Sequence, residues 1–304
     1  MIKVGNIVKS YGAQKALKGI SLEVNKGELF GLIGPDGAGK TTLMRILVTL
    51  LLPDSGKATL NGLDVVADFR QIRKMVGYMP GRFSLYQDLT VEENLRFFAT
   101  VFGGTIEANY HLIKEIYYQI EPFKNRAAGK LSGGMKQKLA LSCALIHAPE
   151  VLILDEPTTG VDAVSRKEFW EILNNLRNKG ITILVSTPYM DEANLCDRVA
   201  LFQDGAILSI DSPKNITASF SKNLYGVKVA TTAQRFECVG LLKEMAGIDS
   251  VFSFGESIHI TSSQKAINEI IVTEYLNSKG HQGILVEKIS ASIEDVFMEL
   301  MQKK

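Results

Sequence analysis

The sequence lacks most of the features that would set it apart from an ordinary globular protein. Its cysteines number only three, Cys143, Cys196 and Cys238, an odd count spaced too widely for a metal-ligand pattern. That argues against a disulfide framework, and reduced, buried thiols in a cytosolic compartment are expected. No charge sign dominates: 34 Lys and Arg against 33 Asp and Glu leave a formal net charge of +1. Nothing in that total calls for nucleic acid or an anionic lipid surface. Long apolar runs are missing too. The longest, residues 43–52, is ten residues interrupted by Arg45, about half of the roughly 20 needed to span a bilayer. The first residues, Met1-Ile2-Lys3-Val4-Gly5-Asn6, carry no apolar core, so no secretory leader is expected. Any membrane role is expected to pass through a partner.

The chain has 304 residues, 46% of them apolar and 22% charged. That supports one large domain or two smaller ones with a real core. Residues 2–30 read as short β segments, with Ile20-Ser21-Leu22-Glu23-Val24 alternating before an Asn25-Lys26-Gly27 turn. Leu29-Phe30-Gly31-Leu32-Ile33 reads as a buried strand. A helix is expected from Lys40 to somewhere before Pro53, and strand and turn over residues 57–80. From Thr90 to Arg126 the pattern turns helical, opened by a capping box of Thr90 and Glu93. Two apolar runs, Val151-Leu152-Ile153-Leu154 and Ile181-Thr182-Ile183-Leu184-Val185, flank a helix expected over 165–179. That spacing is a βαβ crossover and implies a parallel sheet. After Ser221 the order β-α-β-β-α-β, then a last helix at about 292–302, suggests a small ferredoxin-like domain.

Three segments carry chemistry. Gly34-Pro35-Asp36-Gly37-Ala38-Gly39-Lys40-Thr41 matches G-x-x-x-x-G-K-[ST], with an apolar strand before it and a helix after. Its glycines let backbone N–H groups converge on phosphate oxygens, and the helix N-terminus favours an anion. Lys40 is expected on the β- and γ-phosphates, Thr41 on Mg²⁺, and Thr42 on a phosphate. Second, Val151-Leu152-Ile153-Leu154-Asp155-Glu156 ends a strand in two acids, where open parallel sheets bind ligands. Asp155 is expected to hold Mg²⁺ and Glu156 to orient and deprotonate the attacking water. Third, Leu131-Ser132-Gly133-Gly134-Met135-Lys136-Gln137-Lys138 places Ser132, Gly133 and Gly134 at a helix N-terminus, fit for a second phosphate-binding edge.

This third segment resembles the signature motif of the ABC proteins, normally LSGGQ, with Met135 at the glutamine position. The resemblance covers about residues 2–215. It implies an α/β P-loop NTPase of ABC type: a parallel-sheet core, an antiparallel β subdomain and a helical subdomain at about 82–130. The ATP-binding domain would occupy 1–220 and an accessory C-terminal domain, similar to that of some drug- and antibiotic-export ATPases, 221–304. Two such domains meet head to tail in this family, each closing the other's ATP site with its signature edge. The resemblance therefore implies ATP and Mg²⁺ as ligands, a second ABC ATPase subunit in a homo- or heterodimer, an integral-membrane permease, and no nucleic acid. It also implies a cytoplasmic location, peripheral on the inner face of the cell membrane. Tyr11 matches the aromatic that stacks on adenine, and Asp162, in Thr159-Gly160-Val161-Asp162, the dimer-interface loop. Phe83, Leu85, Tyr86, Leu95, Phe97 and Phe98 are candidates for touching the permease.

Two positions depart from the family pattern. Gly81 stands where glutamine is usual, and Pro188 where histidine is usual. Proline offers neither a side-chain donor nor a backbone N–H. The four histidines, 111, 147, 259 and 281, lie at other positions. ATP binding is therefore the firmer expectation and fast hydrolysis the weaker. A nucleotide-gated regulatory module, or a non-transport ABC protein with little turnover, is the competing reading.

Overall fold

A computed structural model describes residues 1–302. It divides into two compact units, Met1–Lys214 joined by residues 300–302, and Asn215–Glu299. The first unit is built on two sheets. One is four-stranded and antiparallel, ordered Gln14–Val24, Ile2–Tyr11, Ser55–Leu60, Leu63–Asp64. The other is six-stranded, ordered Ala206–Asp211, Arg198–Gln203, Leu29–Ile33, Thr182–Thr187, Val151–Asp155, Val76–Met79. Its pairings are parallel except for the edge hairpin of Arg198–Gln203 with Ala206–Asp211. The three central strands are buried at every residue, as continuous apolar runs covered on both faces must be. One core cluster joins the sheets: Ile2, Ile7 and Leu17 pack with Phe30, Leu32, Leu43 and Phe202. Each such side chain contributes about 1.5–3 kcal/mol when fully buried.

Parallel register decides where the site forms. Ile33 lies opposite Thr187, Asp155 opposite Ser186, and Met79 opposite Leu154. The segments beginning at Gly34, Glu156, Pro188 and Pro80 therefore leave the sheet along one edge.

The expected helical stretch forms two helices, Val91–Val101 and Ile106–Tyr117, interrupted at Gly103, whose φ of 74° suits only glycine well. The capping box forms as read: Glu93 N–H donates to Thr90 Oγ1 at 3.2 Å and Thr90 N–H to Glu93 Oε2 at 2.8 Å. Residues 57–80 differ from the expectation of strand and turn alone, because Phe69–Met75 is a helix. It is seven residues long with only Ile72 fully buried, so it leaves no apolar periodicity to read. The helix expected from 165 starts at Ala163, because Asp162 caps it.

The second unit has its own antiparallel sheet, ordered Ser250–Phe254, Ser257–Ser262, Asn223–Lys228, Leu285–Lys288. With helices Thr232–Glu244 and Glu269–Ser278 this is the β-α-β-β-α-β arrangement of a ferredoxin-like fold. Val227, Ile258 and Ile260 of the sheet meet Cys238, Leu242, Val272 and Leu276 of the helices in a separate core.

Close backbone approach at one strand yields a test. A Cβ on Gly77 would lie 2.4 Å from the Ala144 carbonyl oxygen and 3.0 Å from Leu152 Cδ1. Gly77→Ala must push the helix Gly133–Leu145 off the edge strand, and a cost of about 1–3 kcal/mol is expected in urea denaturation.

Candidate functional site

The loop after Leu29–Ile33 is shaped by what surrounds its glycines. A Cβ on Gly34 would lie 2.2 Å from the Phe202 carbonyl oxygen, and one on Gly39 2.5 Å from that of Ala16. Gly37 and Gly39 also hold φ of 78° and 105°. The helix Lys40–Leu47 starts there with Gly39 as its cap and no side-chain capping bond. Its first N–H groups thus point free toward the loop, the arrangement that attracts an anion. Lys40 is 3% exposed. Its ammonium donates to the carbonyls of Gly34 at 2.7 Å and Pro35 at 3.0 Å, and pairs with Glu156 Oε1 at 3.2 Å.

The acids are held from the neighbouring strand. Asp155 Oδ1 accepts from Thr41 Oγ1 at 3.0 Å and Ser186 Oγ at 2.8 Å. Glu156 stands at φ 50°, a conformation that costs about 1–3 kcal/mol in a non-glycine residue. Its N–H is fastened there by Ser186, through Oγ at 3.0 Å and the carbonyl at 3.1 Å. Ser186 thus holds both acids, a role that the sequence reading did not assign it.

Tyr11, Gly37, Ala38, Gly39, Lys40, Thr41, Thr42 and Glu156 share one pocket of about 220 Å³, with Gln14 and Ala16 as further lining residues. Gly34 and Asp36 belong to the same loop but stay out of that lining. Tyr11 is half exposed.

Ser132, Gly133 and Gly134 lie outside this pocket. Ser132 caps the helix Gly133–Leu145, accepting from Met135 N–H at 3.3 Å. A Cβ on Gly133 would meet the Gly160 carbonyl at 3.5 Å, and one on Gly134 would meet Ser165 Oγ at 2.7 Å. The signature edge therefore neighbours the 160–165 segment. There Asp162 Oδ1 accepts from Val164 and Ser165 N–H, and the Ser165 bond holds its carboxyl below the usual range.

The two departures from pattern sit at the site. A Cβ on Gly81 would lie 3.1 Å from the Asp155 carbonyl oxygen and 3.8 Å from its Oδ2, so a longer side chain would begin beside that acid. Pro188 follows Thr187 at the strand end and supplies no donor.

A second concavity, an apolar groove of about 430 Å³, opens between the sheet and the helical segment, lined among others by Tyr78, Met79, Leu85, Phe98, Val101 and His147. Of the other candidate contact residues, Leu95 is buried in the core, whereas Tyr86 and Phe97 are exposed with ring centroids 4.9 Å apart. His147 stacks on Phe102 at 3.9 Å, and its Nε2 lies 3.2 Å from the Val76 carbonyl oxygen. Burial pushes its pKa below the usual 6.5. A depressed histidine pKa means that the unfolded chain binds the proton first, so this contribution is present above about pH 6.5 and lost as pH falls below it. Thermal midpoints measured over pH 5–7.5 should fall less steeply on the acid side for His147→Gln than for the wild type.

Residues 17–159 match the family model described as ABC transporter. The chain is 38% identical over 288 residues to the probable multidrug ABC transporter ATP-binding protein YbhF of Escherichia coli (strain K12), covering 94% of this chain and 49% of that protein; it thus spans about half the length of that relative. It is 34% identical to the Nod factor export ATP-binding protein I of Burkholderia lata, covering 97% and 95%. It is 35% identical to the daunorubicin resistance ATP-binding protein DrrA2 of Streptomyces coeruleorubidus, covering 96% and 92%. Among solved structures, the ATP-binding cassette MJ0796 bound to ADP and Pi superposes with a TM-score of 0.64 at 26% identity, over 70% of this chain and 98% of that one. With the glycine loop, the acidic strand end and the signature segment in their expected order, and two of these relatives aligned over nearly their whole length, this chain belongs to the ABC transporter family.

Proposed function

We infer that this chain is the ATP-binding and ATP-hydrolysing subunit of an exporter, working on a separate membrane permease from the cytoplasmic face. The observation that carries this reading is the meeting of Lys40, Thr41, Asp155 and Glu156 within hydrogen-bonding reach at one sheet edge. Among the described residues no helix is long and apolar enough to cross a membrane, so the transport path would belong to the partner. The names of the relatives, export and resistance ATP-binding proteins, do not favour the regulatory or non-transport alternative.

In this reading Tyr11 stacks on adenine, and the N–H groups of Gly37, Ala38 and Gly39 take the phosphates with Thr42. The terminal phosphate draws Lys40 away from the Gly34 and Pro35 carbonyls and from Glu156. Thr41 and Asp155, hard oxygen donors already 3.0 Å apart, fit Mg²⁺, which favours oxygen ligands and keeps several from phosphate and water. When bound, the ion neutralises charge on the β- and γ-phosphates. Glu156, released by Lys40, accepts the proton of the attacking water. Ser132, Gly133 and Gly134 do not line their own chain's pocket, so they would serve the site of a second ABC ATPase subunit. The apolar groove beside the helical segment would receive the permease, and the unit Asn215–Glu299 would act as an accessory domain.

Gly81 and Pro188 remove two groups that would otherwise touch the metal, the water and the γ-phosphate. If each supplied a few kcal/mol at the transition state, turnover by this site falls by roughly 10² or more. That favours pairing with a fuller ATPase. Lys40→Ala should abolish Mg-ATP binding by calorimetry, while Glu156→Gln should bind ATP normally and lose at least about 10² in phosphate release. Brisk wild-type turnover would sink the depleted-site argument, and intact ATP binding in Lys40→Ala would sink the function itself. The double substitution Gly81→Gln with Pro188→His should raise wild-type turnover by about tenfold or more.

A further inference from the structure

Glu192 is a buried carboxylate that the chemistry above leaves unused, yet it is wired into three parts of the site. It belongs to the short helical turn Met190–Leu195 after Pro188 and is 2% exposed. Its Oε1 accepts from Thr158 Oγ1 at 2.9 Å, its Oε2 from the same hydroxyl at 3.2 Å and from the Thr187 hydroxyl. Arg166 Nε lies 3.8 Å from Oε1.

Each partner adjoins a working part. Thr158 stands two residues past Glu156, in the turn closed by Thr159 N–H on the Glu156 carbonyl at 3.2 Å. Thr187 follows Ser186, the residue that holds both acids, and its carbonyl accepts the N–H of Gly34, where the phosphate loop begins, at 3.3 Å. Its hydroxyl also accepts from Tyr189 N–H at 3.1 Å, which pins the turn across Pro188. Arg166 follows Ser165, the residue against Gly134 of the signature edge.

A dehydrated carboxylate is costly unless paired, and an apolar side chain of similar volume is often neutral or better for stability. Packing alone therefore does not account for an acid here, whereas orientation of three separate segments does. We propose that Glu192 is a positioning residue for hydrolysis: it sets the turn after Glu156 against the strand end at Thr187, so that the base carboxylate keeps its aim. Through Arg166 it ties that arrangement to the segment beside the signature edge. This rests on the ATPase reading above.

Glutamine at 192 keeps the size but loses one acceptor oxygen and the charge facing Arg166. A shift of about 1 Å in a positioned group costs on the order of 10² in rate. In the wild-type chain with Mg-ATP, well below the thermal midpoint, Glu192→Gln should lower kcat about 10–100-fold and leave ATP affinity within about threefold. Amide hydrogen exchange should quicken in residues 156–160 and 186–189. Thr158→Val, which replaces that hydroxyl with a methyl group, should move kcat in the same direction, and Glu192→Asp should recover part of the loss. An unchanged kcat in Glu192→Gln and Thr158→Val, or a loss of ATP affinity in step with kcat, would overturn the proposal while the ATPase reading stood. No Mg-ATP binding by the wild type, with Lys40→Ala behaving alike, would instead remove that reading and this inference together.

Discussion

The site depends on parallel strands that end together. A parallel ladder ties each residue to one register, and a slip of one residue would turn every side chain to the other face. Here the ladder sets Ile33 beside Thr187 and Asp155 beside Ser186. A glycine loop, two acids and the Pro188 turn then emerge side by side, although well over a hundred residues separate the first from the last in sequence. Hydrogen bonds between them follow from that edge: Thr41 to Asp155, Ser186 to Asp155, Gly34 to Thr187. None of them requires a loop to reach far.

Holding reactive groups there has a conformational cost, and the surrounding core covers it. Glu156 occupies a left-handed backbone conformation that its side chain disfavours. The two bonds from its N–H to Ser186 and the fully buried strand before it over-determine that geometry. Gly34 and Gly39 press against backbone carbonyls where no Cβ fits. The loop is thus shaped as much by Phe202 and Ala16 as by its own residues, and a preorganised cradle is what electrostatic catalysis rewards.

The second unit stands on different physics. It stabilises itself with its own apolar core and with a partly buried pair, His259 Nδ1 at 2.7 Å from Asp295 Oδ1. Asp295 also accepts from Ser292 N–H and Oγ. Its acidity balances burial, which raises the pKa, against these bonds, which lower it, with the bonds prevailing. Such a pair is satisfied structure.

Much of this protein was legible in contiguous residues. Gly34 to Thr41 specify a glycine-rich strand-to-helix loop, of a shape that fits a phosphate, through backbone freedom and one lysine, and the acids at 155–156 follow directly from a buried strand. The Thr90–Glu93 capping box and the alternating pattern of the last 80 or so residues are equally local. Phe69–Met75 escaped because one buried residue makes no periodicity. Ser186, Gln14, Ala16 and Glu192 escaped for another reason: their importance lies in partners that only the fold brings near, such as Asp155 for Ser186 and Thr158 for Glu192. The sequence alone therefore determined which chemical groups are present and which local turns and helices carry them. Tertiary structure decided which groups meet, because sheet register and burial, not chain neighbourhood, set the distances over which hydrogen bonds form.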